Sequence, residues 1–115
     1  MDPANPENAC VVESKEIVHV DASFEALIPK FLANRKKEVV AMQAAHLAQD
    51  FDTVRSLSHG MKGAGGSYGF DRITDMAAVI EQAAKDGTSA TIHGMLISLG
   101  SYLERIEVVF DEDLS

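Results

Sequence analysis

The sequence predicts an all-α protein, an antiparallel up-down four-helix bundle with a short extra N-terminal helix. Three observations carry this expectation. Apolar residues recur at helical spacing from Phe24 to Phe110, residues suited to helix caps punctuate the chain, and no segment alternates convincingly as a strand would. The connections between periodic segments are short, and short links set neighbouring helices antiparallel.

Taken in order, residues 1–16 contain Pro3 and Pro6 among polar side chains and read as a flexible tail. The domain spans 17–110, and Ile17, Val18 and Val20 form an extended lead-in. Asp21 is the expected N-cap of a short helix carrying Phe24, Leu27 and Ile28, and Pro29 should break or kink it. A longer helix follows with Phe31, Leu32, Val39, Met42 and Leu47 on its inner side, ending near Gln49. Asp50 can cap the next, which contains Phe51, Val54, Leu57, Met61 and Ala64. A turn over Ser67 to Phe70 uses Gly69 for a positive φ. Asp71 caps a further helix with Ile73, Met76, Ala77, Ile80 and Ala84 inside and Gly87 as its stop. Thr88 or Ser89 opens the last helix, whose stripe is Ile92, Leu96, Leu99, Leu103, Ile106 and Phe110. The acidic end, 111–115, is expected to fray from Asp111 to Asp113.

Bulk properties bound the function. A chain of 115 residues, 46% hydrophobic and 24% charged, suits one soluble globular domain. No apolar run approaches the roughly 20 residues needed to span a bilayer. Met1 to Asn8 lacks the pattern of a secretory signal. Cys10 is the single cysteine, which excludes an internal disulfide and a cysteine-based zinc site and fits a reducing cytoplasm. A net charge of −8 and a pI near 4.8 argue against nucleic acid or anionic lipid as partners.

The chemistry concentrates on one helix. On a wheel of about 100° per residue with Phe51 at zero, Val54, Leu57, Met61 and Tyr68 fall between about 240° and about 300°. His59 lands at about 80°, facing solvent. Arg55 and Lys62 flank it at about 40° and about 20°, with Gly66 at about 60° and Gly63 at about 120°. Each interior glycine costs roughly 1 kcal/mol of helix stability relative to alanine. Core packing does not explain Gly63 and Gly66 on this outer face, whereas Gly65, on the inner side, can admit another helix. A neutral imidazole is a competent nucleophile near neutral pH. Lys62, one turn on, can offset phosphoryl charge, and the bare surface at Gly63 leaves room for a donor.

At these residues the chain resembles histidine-containing phosphotransfer (HPt) domains. His59-Gly60-Met61-Lys62-Gly63, followed by small residues and then Ser67-Tyr68-Gly69-Phe70, matches their His-x-x-Lys-Gly signature, with Met61 where leucine is usual and extra glycines at 60 and 66. The similarity extends through Ile73, Met76, Ala77, Ile80 and Glu81 and back through Leu27 to Leu32, covering roughly 17–108. It implies that His59 is the phosphorylated residue, attacking through Nε2, with Lys62 as phosphate-side cation and Gly63 as the space-making residue. Arg55, Gly66 and Phe70 are further candidates for phosphate or partner contact. The implied protein is a free-standing cytoplasmic carrier, a monomer, that passes phosphoryl groups between receiver domains of response regulators or hybrid histidine kinases. It needs no cofactor of its own, since the resemblance assigns the Mg²⁺ to the receiver. With no P-loop or kinase glycine loop, it should lack autokinase activity.

Two other readings compete. One is a bundle that binds a receiver or kinase without carrying phosphate. The other is a metal-binding bundle using His46 or His93, disfavoured because neither belongs to a sequence-local ligand cluster. The run Arg35-Lys36-Lys37-Glu38 reads as a solvated helix face.

Overall fold

A computed structural model describes residues 15–112. The expected tail up to residue 14 and the last three residues lie outside the described part. The order is strand β1 (Glu16–Asp21), a 3-10 helix (Ala22–Leu27), α1 (Ile28–Leu47), α2 (Phe51–Ser67), α3 (Asp71–Asp86), α4 (Ser89–Arg105) and strand β2 (Ile106–Asp111).

Local chemistry sets most of these boundaries. The Asp21 carboxylate accepts the Ser23 amide at 2.9 Å and starts the 3-10 helix. Pro29 falls in the first turn of α1, where a missing N–H costs no intrahelical bond. The short first helix is 3-10 and runs directly into α1, so Ile28 belongs to α1 and the break expected at Pro29 is absent. Gln49 takes a left-handed φ of 58° beyond the end of α1, and Asp50 N–H reaches back to Ala45 O at 2.8 Å. Asp50 then caps α2 by accepting from Thr53 N–H. Gly87, at φ 72°, closes α3 as expected. Asp71 does not cap α3: Phe70 occupies the N-cap position, and Asp71 lies in the first helical turn, where a carboxylate favours the helix dipole.

Each helix packs on its sequence neighbours, and α4 closes back onto α1. Met42, Val54, Met61, Phe70, Ile73, Ile80, Ile92 and Leu99 are wholly enclosed between them. Leu47, expected inside, is 83% exposed. It follows Ala45, the last buried residue of α1, by two positions, which is about 200° round the helix.

Two expectations about the chain ends need correction. A strand pair exists, because β1 and β2 pair in parallel with Val18 opposite Val108 and Val20 opposite Phe110. The last helix accordingly stops at Arg105, and Ile106 and Phe110 belong to the strand. Ile106-Glu107-Val108-Val109-Phe110 is rich in β-branched and aromatic residues, and β1 supplies the ladder that makes the extended form favourable. Asp111 is the last residue of β2 and accepts a 2.6 Å hydrogen bond from His19 Nδ1. It is held, not frayed.

Candidate functional site

Val54, Ser58, Met61 and Gly65 form the buried stripe of α2, and that rotation turns His59 outward with 70% of its side chain exposed. Ser58 satisfies its buried hydroxyl by donating to Val54 O at 2.8 Å. His59 does not project alone. Its Nδ1 lies 2.9 Å from Oε2 of Glu81, which α3 presents from the neighbouring turn of the bundle. Lys62 Nζ lies 2.7 Å from Oε1 of the same carboxylate, and Lys85 Nζ stands 3.8 Å from Oε2.

Glu81 keeps only 9% of its side chain exposed, an unusual place for a charge. The hydrogen bond from Lys62, then that from His59, hold its carboxyl down at about 2 against the opposing cost of desolvation. Glu81 is therefore ionised at neutral pH, and an ionised carboxylate only accepts hydrogen bonds. The proton of the contact must sit on His59 Nδ1. On a neutral ring the lone pair is then on Nε2, in a side chain that is 70% exposed.

The other expected residues divide. Gly63 is exposed with nothing within 4 Å of where its Cβ would stand, so the bare surface beside His59 is real. Lys62 is engaged with Glu81 within the chain instead of standing free. Arg55 turns toward Asp52, 3.9 Å away, in an exposed pair. Gly66 is exposed one turn beyond Lys62. Phe70 offers no docking surface: it is wholly buried and stacks on Phe31 with ring centroids 5.0 Å apart, because its N-cap position turns it into the core. An open groove of about 400 Å³ is present instead beside the C-terminal half of α2, lined by Leu27, Lys30, Phe31, Ala64, Ser67 and Tyr68 among others.

Sequence reasoning missed Glu81 as a site residue. The available signal was a carboxylate four residues after Ala77 and next to Ile80, on the apolar side of α3. Thr74 was missed too. Its hydroxyl donates to Lys62 O at 2.9 Å, and its side chain fills the space that Gly65 leaves open. The expected close approach at Gly65 is thus between α2 and α3.

Residues 26–109 match the family model of the Hpt domain. The chain belongs to the Hpt family. Its general role is histidine phosphotransfer in a phosphorelay, and the family implies interaction with receiver domains. Comparison with curated proteins and with solved structures returns no match.

Elsewhere in this Hpt domain, α1 and α4 bring His46 and His93 together with ring centroids 6.0 Å apart. His46 Nε2 shares a 2.7 Å hydrogen bond with Ser89 Oγ. Among the described residues no group of three or more His, Cys, Asp or Glu side chains is arranged to hold a metal ion. Among them, too, no helix is long and apolar enough to cross a membrane. Arg35 departs from the solvated face expected of it. It forms a two-pronged pair with Glu38 at 2.8 and 2.9 Å and lies over the Phe31 ring.

Proposed function

We propose that this Hpt domain carries a phosphoryl group on His59 Nε2, taking it from the aspartyl phosphate of one receiver domain and giving it to another. The observation that supports this reading best is the hydrogen bond between His59 Nδ1 and the ionised Glu81, which leaves the lone pair on Nε2.

The Nε2 lone pair attacks phosphorus, the bond from phosphorus to the aspartyl oxygen breaks, and its electron pair leaves on the receiver's carboxylate. The Nδ1 proton stays in place, and the positive charge that develops on the ring faces Glu81. Lys62 is drawn from Glu81 toward the incoming phosphoryl oxygens, where a mobile point charge is most useful. Gly63 gives the receiver room to approach, and the groove flanked by Leu27 and Tyr68 offers it an apolar footing. The receiver supplies the Mg²⁺. The short links after α1, α2 and α3 favour an antiparallel up-down path, and the single cysteine suits a cytoplasmic setting.

Incubation with a receiver carrying labelled aspartyl phosphate tests the proposal. The wild type should acquire acid-labile, alkali-stable label, and His59→Gln should acquire none. Binding of the receiver without label on the wild type would sink it in favour of a non-catalytic binding bundle.

A further inference from the structure

We propose that Lys85 is a positioning residue, a reserve partner that takes over the Glu81 carboxylate when Lys62 moves to the phosphoryl group. This rests on the phosphotransfer reading of His59.

Among the described residues, the charged or titratable side chains paired with Glu81 are His59 and Lys62 from α2 and Lys85 from its own helix. Their roles in the resting state are unequal. Lys62 holds Oε1 at 2.7 Å, whereas Lys85 stands 3.8 Å from Oε2, the oxygen already bonded to His59. The resting carboxylate is held ionised by Lys62 and His59, so Lys85 is not needed there. It is also half-exposed, one turn along α3 from Glu81, with a flexible stem that can close the remaining distance.

Phosphorylation changes the demand. The phosphoryl group brings negative charge to the outer side of His59 and competes for Lys62. If Lys62 leaves, a nearly enclosed carboxylate is left with the imidazole as its one close partner. If Lys62 stays, the phosphoryl group loses its nearest cation. Either outcome raises the energy of the phosphorylated state, because a buried charge deprived of its partner is costly. Lys85 removes the conflict: it can hold Glu81 ionised, so that Glu81 keeps its hydrogen bond to Nδ1 while Lys62 serves the phosphoryl group. The phosphorylated state thus has two ammonium groups for two anions, and the resting state has one to spare.

The test uses the full chain phosphorylated with potassium phosphoramidate, a small donor that needs no receiver. The Glu81 side-chain carboxyl carbon is followed by NMR at pH 8, where phosphohistidine survives, with and without the phosphoryl group. In unphosphorylated protein, Lys85→Ala should give the wild-type Glu81 shift, because Lys62 and His59 hold the carboxylate there. In phosphorylated protein, the Glu81 shift of Lys85→Ala should move away from that of the wild type, as the carboxylate loses its remaining ammonium partner. Lys85→Arg should restore the wild-type shift. A merely structural lysine would not separate the two states. Identical Glu81 shifts in phosphorylated wild type and Lys85→Ala would overturn the role of Lys85 while leaving phosphotransfer intact. Equal uptake of phosphoryl label by the wild type and His59→Gln would overturn the reading of His59 itself, and the proposal with it.

Discussion

A Cβ added at Gly65 would lie 2.6 Å from Thr74 Oγ1, 3.0 Å from Thr74 N and 3.1 Å from Phe70 O. Two of those atoms are backbone and cannot rotate aside. At Gly63 the same addition meets nothing within 4 Å. The two glycines, two residues apart, should therefore respond with opposite signs. Gly65→Ala should destabilise by about 1–3 kcal/mol through overpacking. Gly63→Ala should stabilise by about 1 kcal/mol, the ordinary cost of an interior glycine recovered. Thermal unfolding measures both, and a shift of either midpoint in the other direction would contradict the assignment. Gly63→Leu should keep the fold yet slow transfer from a receiver by tenfold or more, as expected when a docked partner is held off the reacting atom. The wheel made this division legible in the sequence, since it put Gly65 inward and Gly63 outward. Glu81 was not legible in the same way. A single carboxylate on an apolar stripe identifies no partner until α2 and α3 are packed together.

The secondary-structure elements were legible wherever a local residue decides them. Asp21, Asp50 and Gly87 each act within a turn of their own position, and each does what its chemistry predicts, whereas Pro29 sits in the first turn of α1 and marks no break. The strand pair fails that condition. Ile106 and Phe110 continue the spacing of Leu99 and Leu103, so a helix and a strand predict the same apolar positions. What decides between them is β1, whose Ile17 pairs with Glu107 from the far end of the sequence. The pair is more than an ornament, because Val20 on β1 is 1% exposed and Val108 and Phe110 pack against the core. Deleting residues 106–115 should uncover Val20 and lower the unfolding midpoint by of order 10 °C, from about 2 kcal/mol of lost burial. Circular dichroism followed with temperature reads this directly. An unchanged midpoint would mean that the strands contribute no stability.

For the molecule as a whole, the site's electrostatics reappear in the pH dependence of folding. The sequence carries a net charge of −8, yet the pocket around Glu81 gathers Lys62, Lys85 and the His59 ring on one carboxylate. Glu81 titrates at about 2 in the folded chain against 4.5 for an ordinary glutamate. The unfolded chain therefore binds this proton more readily, and linkage makes folding favourable where the proton is absent. Glu81 should contribute its full stabilisation above about pH 4.5 and lose it progressively as the pH falls toward 2. Asp21 and Asp50 are shifted the same way by the amide and hydroxyl hydrogen bonds of their caps. Wild type alone would thus report all of these carboxylates together. The comparison that isolates Glu81 is with Glu81→Gln, which keeps the shape and an acceptor but cannot ionise. The wild type should be the more stable protein at pH 5, and the difference in midpoint should shrink through pH 3 and nearly vanish at pH 2. Asp50→Asn, remote from the His59 cluster, should show its own acid-dependent loss, and its effect should add to that of Glu81→Gln. A wild-type advantage that stayed constant from pH 5 to pH 2 would mean that Glu81 is not held ionised by Lys62 and His59. The tautomer of His59, and with it the choice of Nε2 as nucleophile, would then lose its physical basis.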